Sequence, residues 1–155
     1  MSTINGKACV ANGVAIDKVF SNGKQVYGRN LVTGTSNELK TITISGWGNS
    51  PTAKVSGNYG AGKYYASAYV ENTTPVGMTI WISVNGIGHN IRSDSIPAGE
   101  SGIVSLTFDI LEGQSLYGAW VGFAYKQTES YTYKYKEMMI TRTPSPWTPA
   151  PEDVI

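Results

Sequence analysis

The strongest constraint on how this chain can fold is the two-residue rhythm between Tyr64 and Asn85. Tyr64, Ala66, Ala68 and Val70 fall on one side of an extended backbone, and Tyr65, Ser67, Tyr69 and Glu71 on the other. After a Thr-Thr-Pro-Val-Gly break, Ile80, Ile82 and Val84 share one side, with Thr79, Trp81, Ser83 and Asn85 opposite. Both runs pair an aliphatic face with one that mixes large aromatic rings and small hydroxyls. A merely solvated face is more often charged or threonine-rich, so the mixed face points to binding rather than chemistry.

The same alternation recurs along the chain, and no segment has a helical period. Ile42 and Ile44 alternate with Thr41, Thr43 and Ser45. Val104, Leu106, Phe108 and Ile110 oppose Ser105, Thr107 and Asp109, while Val121 and Phe123 oppose Trp120, Gly122 and Ala124. Tyr131, Tyr133 and Tyr135 alternate with Thr132, Lys134 and Lys136, and Met138 and Ile140 continue as an apolar strand. Turn formers separate these runs, giving about seven or eight strands and an all-β, antiparallel β-sandwich of jelly-roll type. Asn12-Gly13 and Asn22-Gly23 mark tight hairpins, because both residues tolerate positive φ. Residues 1–27 form an N-terminal hairpin or attachment segment, too short to stand alone. It is either the first hairpin of the sandwich or a graft onto another chain. Residues 28–155 form the main domain, with a Pro-rich tail. Pro146, Pro149 and Pro151 favour an extended course for that tail over the surface, anchored by Trp147.

Composition removes several function classes. Net charge is +1 and the lysines are scattered, so no basic stripe for nucleic acid exists. Cys9 is the sole cysteine, which excludes an internal disulfide and a thiolate metal site. The start, Met-Ser-Thr-Ile-Asn-Gly-Lys, lacks a signal peptide's basic and apolar regions, and no apolar run reaches a membrane span of about 20 residues. Folding in a reducing cytoplasm is expected. Asn72-Thr73-Thr74 fits the glycosylation pattern, which carries little meaning without secretion.

Sugars are held by aromatic rings stacked on their C–H faces, flanked by groups that bond the hydroxyls. If the strands pair as read, Tyr65, Tyr69, Trp81 and Trp120 share one sheet face with Ser67, Ser83, Thr107 and Asp109. That constellation is the candidate carbohydrate site; the rival reading makes these rings a second core layer or a subunit contact. No catalytic residues are assigned. His89 lies in a Gly/Asn loop near Arg92 and Asp94, without a nucleophile-elbow pattern. Glycosidases need two carboxylates across a cleft, and only Glu71 and Asp109 can share the candidate face. Glu137 is a candidate hydrogen-bonding or calcium-binding residue, although no Asp-rich calcium loop is visible. Gly60-Ala61-Gly62-Lys63 lacks the spacing of a phosphate loop and reads as a turn.

Two motifs frame the main domain: Gly28-Arg29-Asn30-Leu31, and Trp147-Thr148-Pro149-Ala150-Pro151-Glu152-Asp153. With the tyrosine-rich strand Tyr64–Glu71 and the run Glu137-Met138-Met139-Ile140, they resemble the carbohydrate-binding-module-like jelly rolls of tail and baseplate proteins from phages and prophages of Gram-positive bacteria. The stretch Thr141-Arg142-Thr143-Pro144-Ser145-Pro146 departs from that pattern, which has a Gly-containing turn and an acidic residue there. The resemblance implies a non-enzymatic, receptor-binding tail protein that adheres to host cell-wall polysaccharide or teichoic acid. It further implies contacts with other tail or baseplate proteins, a homo-oligomer (a trimer first), synthesis in a bacterial cytoplasm and a final place in the virion tail. No cofactor is implied beyond a structural calcium, which is frequent in such domains. The rivals are a purely structural tail protein and a glycan-depolymerising enzyme.

Overall fold

The computed structural model describes residues 10–12, 14–15, 18–21, 24–48, 53–86 and 90–153. Two short hairpins come first: β1 (Val10–Ala11) with β2 (Val14–Ala15), and β3 (Lys18–Ser21) with β4 (Lys24–Gly28). Pairings Ala11↔Val14 and Ser21↔Lys24 are the last of each hairpin. Asn12 has φ 51°, the positive value that its turn requires. Gly13, Asn22 and Gly23 lie outside the described residues.

The main body consists of β5 (Lys40–Gly46), β6 (Ala53–Lys54), β7 (Gly62–Glu71), β8 (Met78–Asn85), β9 (Ile91–Arg92), β10 (Ser101–Ile110), β11 (Ser115–Phe123) and β12 (Gln127–Thr141). They form two four-stranded antiparallel sheets, in orders β10-β7-β12-β5 and β6-β11-β8-β9. The fold is the all-β, antiparallel β-sandwich that the alternation predicts. Its core lies between the sheets, where Tyr64, Ala66, Ala68 and Val70 of β7 meet Ile80, Ile82 and Val84 of β8. Val104, Phe108 and Ile110 join from β10, and Ala119, Val121 and Phe123 from β11. Each large aliphatic or aromatic side chain removed from water contributes about 1.5–3 kcal/mol.

β12 shows why alternation alone misreads one strand. Tyr133 is buried, and so are Met138 and Ile140, although odd and even positions should face opposite ways. A bulge between Lys136 and Met139 resolves this: Glu137 has φ 59°, and its N–H donates to Ser36 O at 2.8 Å. One extra residue shifts the parity. Met139 and Thr141 therefore lie on the side of β12 away from the core, where they too are buried. Glu137 contributes its backbone to this bulge, and its carboxylate lies 3.7 Å from Lys136 Nζ.

The two framing motifs clasp each other. Asn30 is fully buried; its Nδ2 donates to Thr148 O at 3.0 Å and Met138 O at 3.3 Å. Its Oδ1 accepts from Val32 N–H and Ile140 N–H, each at 3.2 Å. Arg29 pairs with Glu152, and Asp153 accepts from Gly34 N–H at 3.0 Å. Trp147 is half-buried and donates through Nε1 to Met138 O at 3.2 Å. The tail is more embedded than an extended surface course: Thr148, Ala150 and Pro151 are buried, and Pro151–Asp153 makes one 3₁₀ turn. Pro146, Pro149 and Pro151 lack the N–H that strand pairing needs, and Asn30 takes up the Thr148 carbonyl between them.

A second buried asparagine fixes the passage from β7 to β8. Asn72 Nδ2 faces the carbonyls of Val76, Ile96 and Pro97 at 2.8–3.0 Å, and Oδ1 accepts from Thr74. This amide is committed to structure, which leaves the glycosylation pattern inaccessible. The passage carries the chain from one sheet to the other.

Candidate functional site

Because Tyr64, Ala66, Ala68 and Val70 point into the core, Tyr65, Ser67 and Tyr69 project outward from the first sheet. Register then places their neighbours. Thr107, Ser105 and Ile103 of β10 lie opposite Tyr65, Ser67 and Tyr69 on one flank. Thr141, Met139 and Lys136 of β12 lie opposite them on the other. The outer surface is thus a grid of three rows. Two tyrosines about 13 Å apart along β7 bracket a row of small side chains, Ser105 and Ser67 with Met139 beside them.

That low row opens into a groove of about 580 Å³ lined by Tyr65, Ser67, Ile103, Ser105, Thr107, Met139, Thr141, Pro144 and Ser145. Its volume lies within the range of small-molecule sites, roughly 300–1,000 Å³. Pro144 and Ser145 come from the stretch that departs from the tail-protein pattern, and they supply the far wall. Thr141 Oγ1 donates to Thr143 O at 2.6 Å and shapes the turn leading into that wall. Ser145 Oγ is buried without a partner among the described residues. Tyr69 stands beside the groove under Lys136, whose Nζ is 5.4 Å from the ring centroid. Asp109 is exposed and 3.6 Å from Lys63. Beneath the surface, burial pushes the Tyr64 phenol upward, and the Arg142 guanidinium 4.1 Å from its ring centroid partly offsets this.

The structure brings Tyr65, Ser67, Tyr69, Thr107 and Asp109 onto this face, but not Trp81, Ser83 and Trp120. Those three project from the outer face of the second sheet, on the opposite side of the sandwich. The expectation of one shared ring surface is therefore corrected. Alternation distinguishes inward from outward, but outward reverses direction when the chain crosses from β7 to β8.

On that second face Trp81 and Trp120 are cross-strand partners, stacked with centroids 6.2 Å apart and planes 11° apart. Arg92, opposite Trp81 on β9, lies 5.5 Å from the Trp81 centroid. Trp81 is thus flanked by another ring and a guanidinium. Trp47 meets it edge-on at 6.0 Å, and Trp81 Nε1 donates to Phe123 O at 3.1 Å. Trp120 Nε1 is buried without a partner among the described residues. Gly122 lets the loop settle here, since a Cβ would come within 2.8 Å of the carbonyls of Trp47 and Gly48.

Sequence reasoning missed Ile103 and Ser105, although their parity matches Thr107. Met139, Thr141, Pro144 and Ser145 carried no such signal, because the bulge and the tail path place them. Glu71 and Asp109 share the first face but sit eight positions apart along the β7–β10 register. That is about 26 Å, far beyond the roughly 10 Å of a glycosidase pair. His89 lies outside the described residues. Among the described residues no three His, Cys, Asp or Glu side chains gather to hold a metal, and no helix is long and apolar enough to cross a membrane.

No family model matches the chain, and no curated protein matches it. Among solved structures it is similar to the tripod from the baseplate of bacteriophage Tuc2009, at 16% identity and TM-score 0.46, covering 81% of this chain and 60% of that one. It is similar to the CBM22-1-GH10 modules of an endo-1,4-beta-D-xylanase from Clostridium thermocellum, at 12% identity and TM-score 0.43, covering 74% of this chain and 29% of that one. It is also similar to a carbohydrate binding module of Cellvibrio mixtus lichenase 5A, at 12% identity and TM-score 0.38, covering 74% of this chain and 93% of that one. This chain spans less than two thirds of the first two.

Proposed function

We propose that this protein binds host cell-surface carbohydrate without catalysis, in the groove on the outer face of β10, β7 and β12, as part of a phage or prophage tail. One observation carries the reading: a groove of about 580 Å³ with Tyr65 at one end and the hydroxyls of Ser67, Ser105 and Thr107 along it. An aromatic ring beside convergent hydroxyls offers apolar area for a sugar's C–H face, with donors and acceptors for its hydroxyls. The wide separation of Glu71 and Asp109 argues against that pair acting as glycosidase carboxylates. The tail setting rests on the resemblance of the two framing motifs. Their clasp makes sense of the motifs as structural elements that hold the domain shut.

The test is binding of the purified chain to isolated host cell walls, compared with a Ser105→Trp variant that fills the groove from an exposed strand position. Loss of retention in the folded variant supports the site. Equal retention of both proteins moves binding elsewhere, and no retention of either sinks the adhesion reading.

A further inference from the structure

The chemistry of the groove lining deepens this reading and rests on it. Tyr65, Ser67, Ser105 and Thr107 present hydroxyls there, each able to donate and accept, while the Thr141 and Ser145 hydroxyls are buried in the wall and Thr141 Oγ1 is spent on Thr143 O. Among the described residues that line it, only Tyr65 carries an ionisable group. Among the described residues, the cations around the groove are already engaged. Lys63 faces Asp109 at 3.6 Å, and Lys136 lies beside Glu137 and over Tyr69. Arg142 donates to Tyr59 O and Ala61 O while covering Tyr64. The centre of the groove floor is β7, whose backbone serves ladders with β10 on one side and β12 on the other. It therefore has no nest of free N–H groups for an anion.

From this we infer that the groove selects an uncharged glycan and rejects a phosphate-bridged polymer. A sugar hydroxyl is both donor and acceptor and finds like partners along the lining. A phosphodiester is acceptor-only and charged; seated here it loses hydration without gaining a cation or a charge-assisted hydrogen bond. The selection lies in the absence of charge as much as in the hydroxyls present.

The experiment uses the full chain on an array of uncharged oligosaccharides of glucose, galactose, rhamnose and N-acetylglucosamine, beside poly(glycerol phosphate) and poly(ribitol phosphate). Uncharged glycan is captured, and the signal changes by less than about twofold between about 0.05 and about 0.5 M NaCl. Ser105→Trp and, as a second groove-filling change, Thr107→Trp each remove about tenfold or more of that signal. Their folding is checked by near-UV circular dichroism. Capture of the phosphate polymers alone, collapsing as salt rises, overturns the inference while leaving carbohydrate binding intact. Uncharged binding that survives both tryptophans overturns the groove as its seat. Capture of neither class overturns the carbohydrate reading, and the inference with it.

Discussion

The two outer faces of the sandwich start from the same sequence pattern and arrive at different surfaces. On the β10-β7-β12 face the tyrosines are spaced along one strand, with serines between them, so that a hollow remains. On the β11-β8-β9 face the large groups are cross-strand neighbours, so Trp120, Trp81 and Arg92 fill one another's space. Rings along a strand leave room for a guest, while rings across strands consume it. Aromatic content alone does not mark a binding face; the direction in which the rings are distributed does.

Truncation separates the faces most sharply. Trp81→Ala removes the centre of the stack and costs about 2–3 kcal/mol, somewhat below a fully buried tryptophan. It leaves glycan affinity unchanged, as denaturant unfolding and a binding titration will show together. If the folded variant loses binding instead, the assignment of roles to the two faces is reversed. Gly122→Ala tests the close approach of the Trp47 loop and costs about 1–3 kcal/mol by overpacking; an unchanged melting temperature breaks that account. On the groove face, Tyr65→Ala lowers glycan affinity about tenfold, with a stability loss of about 1 kcal/mol or less. Equal affinity in calorimetry removes the ring from the site. Smallest of all, Asp109→Asn breaks an exposed pair with Lys63 and shifts stability by less than about 0.5 kcal/mol. A larger loss means that Asp109 does more than meet Lys63.

The sandwich was legible because strand alternation is enforced by burial, and Tyr64–Val70 and Ile80–Val84 carry it without interruption. What alternation cannot encode is which sheet a strand joins. That depends on the passage through Asn72, whose three carbonyl partners include Ile96 and Pro97, far along the chain. Hence Tyr65 and Trp81 were both correctly outward and wrongly together. The groove's far half was hidden for a related reason. Glu137 takes positive φ without being glycine, so nothing in its identity announces the shift that turns Met139 and Thr141 away from the core. Asn30 was visible only as part of a motif, and its hydrogen bonds explain why that motif has a partner more than a hundred residues away.

The position of Asn30's partners also sets a sequence of events in time. Its side-chain amide binds Met138, Ile140 and Thr148, so the clasp cannot close until those residues have been synthesised. At about 5–20 residues per second of translation, the earlier strands wait several seconds on the ribosome beside an unfilled sheet position. β7, which pairs with β12 in the finished sheet, is then an open edge. The nascent domain is most exposed to mispairing in that interval, and Met138–Thr148 ends it.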